Sequence, residues 1–415
     1  PPRSTLFPYT TLFRSPGYTL RITEAYRDVS REVLGAVEGE DDILEKVRRI
    51  EKTVKEIIAS EETKNPGKRA EVAEMFRGKS YMLFLYTYLK DVRLVYAPPR
   101  AIGEFGGETD NWIWPRHTGD FAIMRAYVSP DGSPAEYSSS NVPYRPRKHL
   151  RIAPQGVEEG DAVFLLGYPG RTFRHQTSHF LAHEQNVNMP YIANLYEWQI
   201  SILQRRGEEN QALALKHSPR IKSLSNVMKN YRGKLAGLKR LDLVNRKKEE
   251  EKALHRFISS DPDLHKTYGN LLASLEEGYR EIDRWSRQEM VLTHLLRSCV
   301  LLQGACKIYE ASIERSKKDM EREAEYMDRN FAQTRERILS SLKNYDEEID
   351  KTFLREMLLR ASRLPQEMQL PAVQKRIDPA RAEESIATFI SHAYEKSRLK
   401  DSAFKIGRAS CRERV

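Results

Sequence analysis

The pattern of the chain changes near residue 80 and again near Gly170, and the second change limits its fold more than any other feature. Before it come short segments rich in β-branched and aromatic residues, separated by turn signals: YMLFLYTYL, VRLVYAPP, DFAIMRAYV, HLRIAP and DAVFLLGYPG. Asp131-Gly132, flanked by Pro130 and Pro134, is one such turn. This spacing predicts a small antiparallel barrel. Residues 171 to 405 are instead rich in Glu, Lys, Arg, Leu and Ala with helical periodicity, and breaks are expected at Pro190, Pro219, Pro262, Pro365, Pro371 and Pro379. Residues 16 to 79 read as charged and helix-patterned, with DDILEKVRRIEKTVKEII as the clearest amphipathic piece. The chain is therefore expected to be α+β, with no fixed-period repeat.

Within the β-rich part, residues 103 to 121 read GEFGGETDNWIWPRHTGDF. Gly103, Gly106 and Gly107 supply backbone freedom where a bulky side chain could not turn. Trp112 and Trp114 bracket one residue, so on an extended segment they share a face. Glu108, Asp110, Arg116, His117 and Asp120 add five polar or charged side chains. The run ends in DFAIMRAYV, apolar enough to enter a buried strand, with Asp120 at the strand's mouth.

This run resembles the signature of bacterial dipeptidyl peptidases of serine peptidase family 46. The resemblance continues upstream through EMFRGKSYMLFLYTYLKDVRLVYAPPRAIGEFGG and downstream through DAVFLLGYPGRTFRH and IKSLSNVMKNY, covering residues 30 to 400. It implies a chymotrypsin-fold exopeptidase with a large helical domain inserted into the catalytic unit. Here that means a partial chymotrypsin-like barrel over 16–170 and a truncated helical domain over 171–405. It implies a serine-type dipeptidyl peptidase, periplasmic, cell-surface or secreted, acting on oligopeptides with a free N-terminus. It further implies a homodimer and no cofactor.

Both ends of the chain match one oligonucleotide. A sequencing-library adapter read in one frame encodes residues 1–15, and its reverse complement encodes residues 406–415 and then a stop. These segments are expected to be adapter-derived and to pack against nothing. Without them Lys plus Arg falls from 69 to 64, Asp plus Glu falls from 59 to 58, and the net charge drops from +10 to +6. The remaining bases are interleaved with acids, which argues against a nucleic-acid partner. Cys299 and Cys306, read as lying on one helix, would stand roughly 10 Å apart at helical rise, too far for a disulfide. No apolar run reaches the ~18 residues of a membrane span.

The family's catalytic aspartate falls on Asp120. A triad aspartate fixes the tautomer of an imidazole and stabilises its protonated form. For an arbitrary Asp before a strand, a turn or cap carboxylate is the commoner role. In the chymotrypsin order a His precedes and a Ser follows, yet no His lies between residues 16 and 116 and no Gly-x-Ser-Gly occurs. Ser133 in DGSP reads as a turn serine. Only the Asp of the triad is then expected in this chain, which is expected to be an inactive fragment.

The family's grip on the substrate's free N-terminus falls on Asn111, Trp112 and Asn226. An ammonium needs acceptors, which an amide oxygen and a backbone carbonyl supply beside an aromatic wall. On its own Asn226 would read as an exposed helix residue. His175, His179 and His183 recur every four residues, but no further ligand completes a metal site, so no metal is expected. GYPGRT at 167–172 lacks the ending of a phosphate loop and reads as a strand-to-helix turn, and NRKKEEEK at 245–252 as a solvated helix face. A non-catalytic helical interaction module with a small β domain is the competing class; it leaves the DNWIWPRHTGDF cluster without a purpose.

Overall fold

The computed structural model describes residues 13–14, 18–76, 78–164, 173, 175–343 and 345–399. The chain divides into two compact units, 1–107 with 115–167 and 108–114 with 168–415. The seven residues 108–114, which the sequence pattern places in the β-rich part, thus belong to the helical unit.

The first unit holds β1 (Phe13–Arg14), β2 (Leu20–Asp28), α1 (Ser30–Gly35), α2 (Ile43–Lys64), β3 (Arg69–Phe76), β4 (Ser80–Leu89), β5 (Asp91–Tyr96), α3 (Arg100–Gly103), β6 (Ile123–Val128) and β7 (Val142–Pro143). They form two antiparallel sheets, ordered β2-β4-β3 and β1-β5-β6-β7. Asp42 caps α2 by accepting from the Glu45 N–H at 3.0 Å. Its apolar stripe, Ile50, Val54, Ile57 and Ile58, joins Val29 and Val33 of the first helical turn region against Ala70, Tyr81, Leu83 and Leu85. One face of β4 and the inner residues of β3 are thereby removed from water.

The second sheet is pinned by a buried charge. Asp91 accepts from Arg93 Nε at 3.0 Å, Arg93 Nη2 at 2.6 Å and Asn141 Nδ2 at 2.9 Å. The Arg93 guanidinium lies 3.7 Å from the centre of the Tyr127 ring and donates to Ser138 O at 3.0 Å. Burial opposes ionisation of Asp91, but the bonds from Arg93 and Asn141 outweigh it and hold the carboxyl below its ordinary range.

Residues 16–79 are not wholly helical, because β2 and β3 lie among them. β2 is exposed along almost its whole length and shows no apolar alternation; its pairing with β4 makes it a strand. β3 buries Ala70 near its start and leaves its end exposed, and its Ala, Glu and Met favour helix in isolation. The segment 149–154 forms no strand: Leu150 and Ile152 are 86% and 91% exposed and pair with no described strand. Residues 161–164 are irregular too, and the rest of DAVFLLGYPG, with GYPGRT, lies outside the described residues. Most of 1–15 and all of 406–415 also lie outside them. Phe13 and Arg14 pair with Leu94 and Arg93, so the expectation that the first fifteen residues pack against nothing fails at these two.

The helical unit contains α4 (Ser178–His183), α5 (Met189–Glu208), α6 (Gln211–Arg240), α7 (Leu243–Ser259), α8 (Pro262–Tyr268), α9 (Leu271–Ser298), α10 (Val300–Glu314), α11 (Asp328–Lys343), α12 (Glu347–Ser362), α13 (Pro371–Gln374) and α14 (Ala382–Lys396). A π-helical segment, Glu184–Asn188, joins α4 to α5. The core runs through Leu195, Leu203, Leu295, Phe353, Met357 and Ile386.

Pro219 does not break α6, and Pro190 does not separate α5 from the helix before it. Pro219 removes one backbone donor, but Ile221 and Leu224 beside it pack into the core and carry the helix through. Cys299 and Cys306 are not on one helix. Cys299 is the break between α9 and α10, which are bent by 98°. At that corner the buried Asp350 accepts from the N–H groups of Val300 at 2.5 Å and Leu301 at 3.2 Å, and from Tyr394 Oη at 2.6 Å. It caps α10 from a distant helix. No single helix among the described residues is long and apolar enough to cross a membrane.

His294 gives this unit a pH dependence. It is buried against Tyr191 and Tyr196, with ring centres 5.7 and 5.8 Å away. Burial first, then the charges of Arg297 and Arg360, push its pKa down to about 4. The ordinary value is about 6.5, so the unfolded chain takes up the proton more readily. Stability from this group is complete above pH ~6.5 and is lost as pH falls through about 4, on the order of 3 kcal/mol in all. Urea midpoints at pH 7 and pH 4 should differ accordingly, and His294→Gln should remove much of the difference. An unchanged pH slope in that variant would show that His294 is not the titrating group.

Candidate functional site

The motif 103–121 starts at the last residue of α3, runs through turns as far as 112 and is irregular from 116 to 121. Gly106 and Gly107 take φ values of 76° and 52°, a left-handed conformation that costs glycine little. Past them, Glu108–Trp114 passes into the helical unit. Trp112 also has a positive φ, 66°, rare for so large a side chain and of the kind that marks functional segments. The Ile113 N–H donates to Asp110 O at 3.0 Å and closes the turn around it.

α6 receives this segment. Trp112 Nε1 donates to Asn226 Oδ1 at 2.9 Å and to Asn226 O at 3.1 Å. Asn111 Nδ2 lies 3.4 Å from the same Oδ1. Lys229 Nζ donates to the carbonyl of Glu108 and stands 3.5 Å from Glu108 Oε2. Asn226 and Lys229 are three residues apart on one face of α6. The structure therefore brings Asn111, Trp112 and Asn226, 115 residues apart at the extremes, into one hydrogen-bonded group. Because an indole N–H only donates, Trp112 fixes which end of the Asn226 amide is the oxygen. The group is exposed: Trp112 keeps 57% of its surface. Lys229 was not singled out from the sequence, and Glu108 only as one of the motif's five polar side chains; a lysine one turn beyond Asn226 was the available signal.

Asp120 lies in the other unit, exposed, just before β6. Its approach is fixed by Gly119, whose N–H donates to Ile102 O at 3.0 Å. A Cβ on Gly119 would come within 2.9 Å of Ile102 Cγ2, so glycine is needed for this close approach. Phe121 packs on Tyr96 with ring centres 5.7 Å apart. Ser133 sits in a turn, where Asp131 accepts from its N–H at 2.9 Å and its hydroxyl at 2.7 Å.

Two of the three histidines meet other side chains. His179 stacks on Tyr279 and His183 Nδ1 lies 2.6 Å from Asp283 Oδ1, while His175 precedes the helix. No group of three or more potential ligands gathers among the described residues. NRKKEEEK carries exposed pairs, Lys247–Glu250 and Lys252–Glu249. Glu251 departs from the solvated reading: it accepts from the N–H and hydroxyl of Ser178, both at 2.6 Å, at the start of α4.

The profile of the Peptidase S46 family matches residues 12–406. The chain belongs to this family. It is 33% identical over 391 residues to an Asp/Glu-specific dipeptidyl-peptidase of Shewanella putrefaciens, covering 94% of the chain and 52% of the relative. It is 37% identical over 265 residues to dipeptidyl-peptidase 7 of Porphyromonas endodontalis, covering 64% of the chain and 32% of the relative. Among solved structures it is similar to Porphyromonas endodontalis DPP11 in complex with the dipeptide Arg-Glu. That match has a TM-score of 0.72 and 25% identity, and covers 95% of the chain and 56% of the other. The complex of that protein with Arg-Asp matches with a TM-score of 0.72 at 24% identity. The chain spans about half the length of the curated relatives it matches.

Proposed function

We propose that the protein carrying this chain is a serine-type dipeptidyl peptidase that releases dipeptides from the free N-termini of oligopeptides. The observation that carries this is the hydrogen-bonded group of Asn111, Trp112 and Asn226, offering amide and carbonyl oxygens beside an exposed indole. Trp112 occupies one lone pair of Asn226 Oδ1 with a 2.9 Å bond; the 3.4 Å contact from Asn111 is long and weak. An arriving ammonium takes the second lone pair. The Asn111 amide then turns its oxygen toward the same cation, and a backbone carbonyl of the segment accepts the third proton. Anchoring the amine sets how many residues reach the scissile bond, which is why the product is a dipeptide.

In this reading the sheets of the first unit are part of a chymotrypsin-like barrel. Asp120 is the triad's acid, holding the imidazole that activates a serine for an acyl-enzyme mechanism. The protein works outside the cytoplasm as a homodimer and needs no cofactor. The direct test incubates the full-length protein with a free-amine oligopeptide and identifies products by mass. Dipeptides should appear, and a serine-directed reagent should stop them; release of single residues, or activity indifferent to that reagent, would overturn the reading. The 415-residue chain by itself, with no His from 16 to 116 and no Gly-x-Ser-Gly, should give no turnover above background.

A further inference from the structure

We infer that Lys229 is a positioning residue that fastens Glu108–Trp114 to α6 and so keeps Trp112 and Asn111 aligned with Asn226; this rests on the amine-binding reading above. The segment has a mechanical problem. On one side it is reached through two left-handed glycines, Gly106 and Gly107, which resist displacement little. Within it, Trp112 holds a backbone conformation that its side chain disfavours, so the segment does not keep this shape by local preference alone. Something outside the segment must hold it.

Two anchors on α6 do so. One is Asn226, the residue assigned to the substrate, whose long contact with Asn111 must give way when an ammonium arrives. The other is Lys229, three residues on, which touches Glu108 twice, at its carbonyl oxygen and at its carboxylate. The carbonyl contact pins the main chain at the point where the segment begins. An ammonium with three donors can serve both oxygens at once. An exposed ion pair alone contributes little; here the lysine side chain is 29% exposed, and the main-chain contact adds what a side-chain pair lacks. The Asn111–Asn226 contact can therefore open for substrate while the Lys229 contacts stay closed.

The test uses Lys229→Met, which keeps the apolar stem and removes the charge, and Lys229→Arg, which restores it. In the 415-residue chain the indole N–H of Trp112, assigned with Trp112→Phe, is followed by NMR for exchange with solvent. Lys229→Met should speed that exchange about fivefold or more, with Arg close to the parent, since freeing the segment exposes its hydrogen bonds to opening. In the full-length peptidase the same Met variant should raise KM for a free-amine dipeptidyl substrate about five- to tenfold, with kcat within about twofold, as lost positioning for binding requires. Unchanged indole exchange overturns the proposal. Faster exchange with an unchanged KM shows that the segment is fastened by Lys229 but does not grip the substrate, which overturns the amine reading instead. A fall in kcat with KM unchanged contradicts a binding role and overturns the proposal.

Discussion

Asp120→Asn should reduce kcat for dipeptide release about 10⁴-fold in the full-length peptidase, with KM little changed. An aspartate in a triad accepts from one ring nitrogen of the imidazole, fixes the tautomer that leaves the other nitrogen free to act as base, and stabilises the cation that forms. An amide of the same shape can instead favour the wrong tautomer, and the loss falls on kcat by about that factor. The scaffold should not change, because the position is set by main-chain geometry. Gly119 bonds to Ile102 O, and Phe121 packs on Tyr96 to either side of an exposed carboxylate. Circular dichroism and the urea midpoint should therefore match the parent. A variant of normal stability with normal kcat would reduce Asp120 to a turn carboxylate.

Asn226→Ala should lower kcat/KM about 10- to 150-fold for substrates with a free amine. A hydrogen bond to a charged group contributes about 1.5–3 kcal/mol, and each 1.36 kcal/mol is tenfold in rate. The loss also reaches Trp112, whose indole donor is left without the oxygen it meets at 2.9 Å. Asn226→Asp keeps an oxygen at that place for both the indole and the ammonium, and should retain most of the activity lost in the alanine variant. Equal losses in the two variants would mean that shape, not an acceptor, is what α6 supplies.

How much of this was legible beforehand differs from residue to residue. Asn111, Trp112 and Asp120 lie in one contiguous motif, and the family resemblance assigned their roles through it. Asn226 sits 115 residues from Asn111 on a long helix, and only the resemblance singled it out; no local pattern separates it from a solvated asparagine. The positive φ of Trp112 could not be read at all, since nothing in the residue type favours it. Nor could the passage of 108–114 into the helical unit, which depends on contacts with α6. The Asp91–Arg93 pair, two apart on one strand, was legible in principle as one face of β5, but two charged residues carry no cue that this face is buried.

Secondary structure failed where local preference and pairing disagree. β2 is nearly all exposed, so it carries no burial pattern, and only β4 beside it makes it a strand. HLRIAP has strand composition, but its apolar side chains meet no described partner and it remains irregular. Pro219 reads as a helix stop because proline lacks a donor; the core contacts of Ile221 and Leu224 override that single loss. Cys299 has no composition cue for a break, and the remote carboxylate of Asp350 supplies the missing cap.

The measurement that bears most directly on the central claim is the ratio of kcat/KM for one oligopeptide with a free N-terminus to that of the same peptide acetylated there. If Asn111, Trp112 and Asn226 hold the ammonium, the parent enzyme should prefer the free peptide about 10³-fold or more, as expected when several charge-assisted bonds are lost together. Asn226→Ala should collapse that ratio by slowing the free peptide alone. Comparable cleavage of both peptides by the parent enzyme, or a ratio untouched by Asn226→Ala, would contradict the account.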